Sequence, residues 1–524
     1  MGRGREWGAS RMTGRPWVAY VVVFVASAST LVLEIAAGRL LAPHIGVSLY
    51  TWTSIIGVVL AGISLGNYLG GVVADRAGSR RTLGLLLAAG GLASLAVLPF
   101  TTTDLIGLVP RGLPVVVRIV VLTGLLFFVP SVALGMVSPV AVKLTLADLG
   151  RAGHVVGRIY AWSTLGSIAG TFLTGFVLIP WLGTKPVIFG VGMILVALAA
   201  AAGEFFRRAG LPRVVDTIMA LLLVLALAQI HLHGALGAMC YRETSYYCIQ
   251  VSTERESDGH VFRVLSLDRL AHSYNSIEDP TRLYYGYLRT YAELTAYAAQ
   301  RSPRLRALLV GGGGYTLPRY MEVAYPDAVL EVAEIDPGVT ATAVELLGLS
   351  RRTRVVTYNT DAREVVEAKQ GSAPYDLIFG DAFNDYQIPY HLTTREFAQK
   401  VRNLLKPDGL YLVLVIDRMR GGRFMASLVR TLREVFPHVY VLSDVARTMA
   451  PRAQTYVVAA SATPLDLDRL RSVQGQGPGG ETVVRVMPAD AMEDWLRGAD
   501  PVVLTDDYAP ADNLMAPIFL EREL

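Results

Sequence analysis

Two different hydrophobic periods divide the chain. Apolar runs of membrane-spanning length occur at 17–37, 51–74, 82–103, 113–142, 157–180, 185–203 and 214–234, each near or above the roughly 17–25 residues a bilayer crossing needs. They predict a transmembrane helical bundle of about seven helices over residues 1–235. Beyond it the pattern shortens. Apolar residues alternate at Ile249 and Val251 and again at Val261, Val264, Leu265 and Leu267, with Ser257, Asp258 and Gly259 between them, the signature of a β-hairpin. This predicts a small hairpin region over 236–280. A helical stretch from about Arg282 to Gln300 follows. Then come the apolar segments LRALLVGG, AVLEVAEID, TRVVTYNTD, YDLIFGDAF and LYLVLVID, alternating with helical stretches over 281–524. Strands alternating with helices imply a parallel, doubly wound sheet, so the third region is a Rossmann-like α/β domain.

Composition supports the division. The chain is 52% hydrophobic with a mean hydropathy of +0.41 over 524 residues, too apolar for an ordinary soluble protein. A net charge of +4 gives no argument for nucleic acid, and no nucleic-acid-binding signature is present. The first run continues into LEIAAGRLLAPHIG without a small-residue cleavage site, so it is expected to stay as a membrane helix. Arg3, Arg5, Arg11 and Arg15 precede run one. Arg76, Arg80 and Arg81 follow run two, Lys143, Arg151 and Arg158 run four, and Arg207, Arg208 and Arg213 run six. The positive-inside rule puts all four groups in the cytoplasm of a multi-pass cell-membrane protein.

A seventh crossing would then leave everything after residue 235 outside, whereas a site for a cytoplasmic nucleotide-type ligand is expected inside. Three resolutions stand open at this point: run seven stops short of crossing, run four bends at Pro130 and Pro139 into two, or the C-terminal region is external. Cys240 and Cys248 are read first as two unrelated thiols, with a disulfide as the alternative. Glu34 and Arg118 are intramembrane charges, for which a functional or a pairing role is expected. Gly62, Gly66, Gly70 and Gly71 have the spacing of close helix packing.

The chemistry gathers where strands end, as it does in open α/β sheets. Gly311, Gly312, Gly313 and Gly314 follow the first strand, where bare backbone can approach a ligand and the next helix presents its N-terminus. Glu334 and Asp336 close the second strand about 20 residues on, the placement of a carboxylate that bonds a ribose diol. Asp361 ends the third strand and Asp381 the fourth. Any one of these acids alone reads as a helix N-cap; four in succession read as a site. Cysteine-histidine metal spacing and nucleophilic triads are missing from the sequence, so no metal is expected.

The membrane half, through GGVVADRAGSRR from Gly70 and RIVVLTGLLFFVP from Arg118, resembles half of a major facilitator transporter. The later half resembles the spermidine synthases, or polyamine aminopropyltransferases, in their membrane-fused form. The motifs are ETSYYCIQV, LDRLAHS, VGGGGY, EID, DAREVV and GDAFNDYQIPYHLTTREF, with LEIAAGRLLAPHIG and LTDDYAPADNL adding to the likeness. The resemblance implies a membrane-anchored aminopropyltransferase. Decarboxylated S-adenosylmethionine would be its co-substrate and a small-molecule polyamine or other amine its acceptor.

By the same resemblance Gly311–Gly314 and Asp336 line the donor. Glu334 holds the ribose hydroxyls, Asp361 and Ala362 the adenine, and Asp381 the acceptor amine, as catalytic base. Tyr246, Tyr285 and His272 are candidate walls or orienting groups, and Asn384 and Asp385 flank the acceptor. The departures lie at the tail and acceptor end: Gly314 and Tyr315 stand where the family usually has an acid and a glycine, Tyr247 replaces a glutamine, Tyr285, Gly286 and Tyr287 stand where the family has tyrosine, glutamine or histidine, and glutamate, and Asn384 replaces a second acid. An S-adenosylmethionine-dependent methyltransferase acting on a membrane-associated substrate therefore stands as an alternative, and a non-catalytic nucleoside sensor attached to a transporter-like half as another. A homodimer fits both halves. Asp506, Asp507 and Asp512 in TDDYAPAD are read first as a solvated turn containing Pro510, with binding of a cation or an amine as the alternative.

Overall fold

The computed structural model describes residues 16–100, 109–110, 113–146, 148–203, 212–232, 234–302, 304–382, 388–443, 453–473 and 484–521. It divides into two units, Met1–Met239 and Cys240–Leu524.

The first unit is helical: α1 (Pro16–Ile45), α2 (Leu49–Ala77), α3 (Arg80–Phe100), α4 (Val115–Thr123), α5 (Val129–Gly135), α6 (Val137–Thr145), α7 (Ala152–Leu173), α8 (Ile179–Leu182), α9 (Thr184–Ala202) and α10 (Pro212–Leu232). Among the described residues six helices are long and apolar enough to cross a membrane, with a shorter apolar helix at Thr217–Leu232. Run four does not fold into two crossings. It is one continuous apolar helical stretch, Val116–Thr145, that absorbs Pro130 through a π-helical turn at Gly124–Phe128; proline lacks the N–H for its i→i−4 bond, and one wider turn re-registers the ladder. The glycine spacing on α2 has the expected cause at three positions of four. A Cβ on Gly62 would stand 2.7 Å from the Ser131 Cβ, one on Gly66 3.0 Å from the Gly135 Cα, and one on Gly70 2.7 Å from the Met136 Cα, whereas Gly71 faces open space.

The second unit opens with an antiparallel sheet of β1 (Arg242–Glu243), β2 (Cys248–Arg255), β3 (Val261–Leu267) and β4 (Leu270–Ser276). There follow α11 (Gly286–Ala299), β5 (Arg306–Val310), α12 (Thr316–Ala324), β6 (Val329–Ala333), α13 (Pro337–Leu346), β7 (Val356–Tyr358), α14 (Ala362–Ala368), β8 (Tyr375–Gly380), α15 (Arg395–Leu404), β9 (Leu405–Asp417), α16 (Phe424–Arg433), β10 (His438–Ser443) and β11 (Gln454–Ser461). The last elements are α17 (Leu467–Val473), β12 (Arg485–Val486), α18 (Ala489–Ala499) and α19 (Ala511–Glu521).

The large sheet has the order β12-β10-β11-β9-β8-β5-β6-β7. Strands β5 to β9 are parallel, while β10, β11 and β12 add antiparallel. Its alternating side chains feed two cores. Leu308 and Val310 of β5 enter one, and Ala307 and Leu309 the other. Burial on both faces holds the strand ends rigid, and the order β8-β5-β6-β7 sets four of those ends in a row.

Candidate active site

The chain leaving β5 turns through Gly311 at φ +99° and Gly313 at φ +47°, both in the left-handed region. A Cβ on Gly311 would collide with the Asp381 backbone oxygen, because β5 and β8 pair to their ends and the Asp381 N–H donates to the Val310 oxygen at 2.8 Å. Tyr315 also has positive φ, +56°, at the N-cap of α12, a strain of about 1 kcal/mol for a non-glycine. Its side chain is fully buried. The hydroxyl lies 2.9 Å from Thr340 Oγ1 and 3.2 Å from Thr357 Oγ1, burial pushes its pKa up to about 12, and the ring stands behind Gly312. The tyrosine that ends the glycine run is thus a pillar for the loop.

Glu334, after β6, is buried. Its Oε2 accepts from the Gly312 N–H at 2.8 Å and the Gly313 N–H at 3.2 Å, and its Oε1 from the Asp336 N–H at 2.9 Å. Burial raises its pKa against these three bonds. A carboxylate offers about four acceptor sites, so one is left for a ligand hydroxyl. Asp336 is fully buried, caps α13 through the Gly338 N–H at 2.8 Å, and accepts from the Thr244 hydroxyl at 2.6 Å. It is a helix cap and an anchor for the small sheet.

Asp361, after β7, caps α14 through the Arg363 N–H at 2.7 Å, and its second oxygen lies 2.9 Å from His391 Nε2. Ala362 is the first residue of that helix and is buried. Arg363 donates to the His391 oxygen at 3.0 Å and to Asp506 Oδ1 at 2.8 Å. The Arg363 guanidinium holds the Asp506 carboxyl down to about 2. The TDDYAPAD segment is the expected turn, closed by reciprocal Thr505 and Tyr508 backbone bonds of 3.0 Å, and through Asp506 it is also tied to the Asp361 end of the site.

Asp381, after β8, accepts a hydrogen bond from the Tyr287 hydroxyl, yet burial pushes its carboxyl up to about 7. Tyr287 and Tyr291 stand beside it, their own pKa values raised by burial and by the Asp381 charge. Tyr285 continues this aromatic wall, its ring centroid 5.6 Å from that of Tyr287, and its hydroxyl donates to the Ala271 oxygen at 2.7 Å. His272 Nδ1–H donates to the Leu270 oxygen at 2.9 Å. Tyr246 is exposed, and its N–H donates to Thr244 Oγ1 at 3.1 Å. Asn384 and Asp385 lie outside the described residues.

Of the residues that the structure brings to the site, His391 is one that the sequence did not single out. Tyr287 was legible as the tyrosine two places after Tyr285, His391 sits inside the quoted loop motif, and Asp506 sits inside the quoted TDDYAPAD segment.

Gly314 has a structural cause. A Cβ there would overlap Ser273 Oγ and stand 2.5 Å from Asn275 Nδ2, and Asn275 Nδ2 donates to the Gly314 oxygen at 3.0 Å. Side chains of β4 fill the space that an acid would need. The two cysteines correct the first reading of unrelated thiols. They form a Cys240–Cys248 disulfide, with Cα atoms 5.3 Å apart, because the antiparallel pairing of β1 with β2 returns the chain to its starting point. A separate cavity of about 820 Å³, lined by Met419, Leu470 and Trp495 among others, does not include any of the strand-end acids.

No family model matches the chain. It is similar to a polyamine aminopropyltransferase of Vibrio vulnificus, 29% identical over 257 residues that cover 45% of this chain and 78% of the relative. It is similar also to one of Corynebacterium efficiens, 26% identical over 380 residues and 70% of each chain. That second match is longer than Cys240–Leu524, so the likeness reaches into the helical unit. A 166-residue stretch, 29% of this chain and 24% of the relative, is 26% identical to the human eEF1A lysine and N-terminal methyltransferase. The likeness to aminopropyltransferases supports a transferase enzyme.

Proposed function

We propose that the second unit is an aminopropyltransferase that moves the aminopropyl group of decarboxylated S-adenosylmethionine to a polyamine or other amine. The observation that carries the reading is Asp381, a carboxyl raised to about 7 at the strand end beside the glycine loop. An amine of pKa near 10 is protonated in neutral water and has no lone pair to attack with. Passing its proton to a carboxylate of pKa about 7 is uphill by about 3 units, roughly 4 kcal/mol, against about 8 kcal/mol for an ordinary carboxylate.

The freed amine then attacks the propyl carbon next to the sulfonium. The N–C bond forms as the C–S bond breaks, the electron pair returns to sulfur, and neutral methylthioadenosine leaves. In this reading Glu334 takes a ribose hydroxyl, Asp361 faces the adenine, and Tyr287 and Tyr291 wall the acceptor amine. Alignment and exclusion of water supply much of the acceleration, several kcal/mol for well-oriented reactants.

A methyltransferase is the second reading, favoured by one observation. Gly314 leaves the donor tail without a carboxylate, so the carboxylate of ordinary S-adenosylmethionine would meet less repulsion there. Supplying the purified full chain with each donor separates the two: methylthioadenosine marks aminopropyl transfer, and S-adenosylhomocysteine marks methyl transfer.

The first unit is, in this account, a membrane anchor with seven crossings. Helix α10 runs Pro212–Leu232; its apolar part, Thr217–Leu232, is shorter than the six long helices, and in this account it completes the crossing with its polar first turn at the membrane interface. Lys185 Nζ at the start of α9 donates to the Gly237 oxygen just past α10 at 3.2 Å, as antiparallel neighbours ending on one side would. The clusters at Arg76–Arg81 and Lys143–Arg158 lie at the other ends of their helices. By the positive-inside rule those ends are cytoplasmic, and the chain leaves α10 outward. The Cys240–Cys248 bridge fits an oxidising compartment. Of the three resolutions open in the sequence, this account takes the external C-terminal region over a cytoplasmic catalytic unit.

A further inference from the structure

We propose that the loop Tyr241–Tyr247, closed by the Cys240–Cys248 disulfide, is a redox-dependent brace for the donor site, with Thr244 as its positioning residue. The proposal rests on the adenosyl-donor reading of Glu334.

The bridge joins the two ends of a nine-residue segment, with β1 and β2 paired beside it at Arg242↔Ile249 and Glu243↔Cys248. The segment reaches α13 at two places. Outside, Tyr241 donates to Glu345 at 2.7 Å, and Arg242 reaches Glu345 at 3.0 Å and the Gly338 oxygen at 3.2 Å. Inside, Thr244 Oγ1 is a hub. It accepts from the Tyr246 and Tyr247 N–H groups at 3.1 and 2.9 Å and donates to Asp336 Oδ2 at 2.6 Å. Gly338 makes the approach possible, since any side chain there would overlap the Thr244 methyl.

From Asp336 the connection runs through its own N–H to Glu334 Oε1, and from Glu334 Oε2 to the glycine loop. Tyr247 stands against the same acids, its pKa raised first by burial and then by the Glu334, Asp268 and Asp336 charges. At the far end the Cys248 N–H donates to Asp268 Oδ1 at 2.9 Å, and Asp268 is buried at φ +53°.

Two hydrogen bonds therefore separate the disulfide-closed loop from the carboxylate that would hold the ribose. Without the bridge the loop is held by the two-residue β1–β2 pairing and by the Tyr241 and Arg242 contacts to α13, of which the Arg242–Glu345 pair is about a third exposed on each side, and such pairs hold weakly. Reduction by a dithiol breaks the S–S bond, gives each sulfur a hydrogen and turns the dithiol into its own disulfide. The loop then samples positions in which Thr244 no longer fixes Asp336, and Glu334 loses its fixed orientation.

The test is calorimetric binding of methylthioadenosine to the full chain in detergent, oxidised against dithiothreitol-reduced and alkylated, with the freed thiols counted by mass. About tenfold weaker binding after reduction is expected. Thr244→Val should weaken binding by a similar factor in oxidised protein, and Thr244→Ser should restore it. In turnover both should raise the donor KM at nearly unchanged kcat and acceptor KM. By linkage, saturating methylthioadenosine should make the bridge harder to reduce by the same factor, about 30 mV for a tenfold two-electron effect. Binding within twofold of the oxidised protein when both thiols are free, or a Thr244→Val change that lowers kcat at constant donor KM, overturns the brace. Oxidised wild-type protein that binds neither methylthioadenosine nor S-adenosylhomocysteine overturns the donor reading instead.

Discussion

Replacing Asp381 with asparagine should remove activity and at the same time stabilise the protein. The carboxyl rises from its ordinary 3.8 to about 7 because burial disfavours its charge more than the Tyr287 hydrogen bond favours it. Below about pH 4 the group is protonated folded and unfolded, and costs nothing. As pH climbs toward 7 the unfolded chain releases the proton while the folded chain keeps it, so stability falls and then levels off. Three units correspond to about 4 kcal/mol. Screening at a side chain that keeps part of its surface in solvent reduces this to about 2 kcal/mol.

Asp381→Asn keeps the shape and removes the charge. Its melting temperature should match wild type at pH 4 and exceed it by several degrees at pH 8. Meanwhile methylthioadenosine release should drop by about 10²- to 10⁴-fold, the range for loss of a general base. Wild-type kcat/KM for the amine should rise through pH 7 as Asp381 ionises. An Asp381→Asn protein that keeps a tenth of the activity, or that is no more stable at pH 8 than at pH 4 relative to wild type, would refute the reasoning.

Other expectations follow from the same geometry. Glu334→Gln keeps one acceptor oxygen and turns an NH2, which cannot accept, toward at least one of the three backbone N–H groups; methylthioadenosine binding should weaken by about 10- to 100-fold in calorimetry, charge-assisted bonds being worth roughly 1.5–3 kcal/mol. Gly314→Asp restores the acid of related sites, but it overlaps Ser273 and crowds Asn275. Thermal unfolding should show a loss of about 1–3 kcal/mol, partly recovered when Ser273→Gly is added. Asp506→Asn removes the pair with Arg363 that steadies the Asp361 end; adenosine-containing ligands should bind about three- to fivefold more weakly, while the melting temperature moves little, since the pair is partly exposed. In sealed vesicles of known orientation, protease should digest the second unit from the face opposite Arg76–Arg81, and digestion from the arginine-rich face would contradict seven crossings.

The sequence carried the parts of the fold that have a period. The seven apolar runs match helices, and the strands from Arg306 to Asp417 sit where the alternation put them, because a sheet buried on both faces demands near-continuous apolar residues. The pairing of the antiparallel additions β10 to β12 was not legible, since which strand lies beside which is set by contacts remote in sequence. The strand-end acids were legible because they fall at fixed places after apolar runs. Tyr315 and Gly314 were legible only as departures. Their causes, a buried hydroxyl between two threonines and a space filled by Ser273 and Asn275, come from neighbours 25 to 42 residues away. The disulfide was underestimated for a similar reason: spacing alone does not show that β1 and β2 return Cys248 to Cys240.

The most direct measurement is product analysis. Purified full chain is incubated with decarboxylated S-adenosylmethionine and a diamine, and in parallel with S-adenosylmethionine and the same amine, and both mixtures are resolved by mass spectrometry. The account predicts methylthioadenosine and aminopropylated amine in equal amounts from the first mixture, and about 10²- to 10⁴-fold less of both from Asp381→Asn. S-adenosylhomocysteine from the second mixture, with no methylthioadenosine from the first, would contradict it.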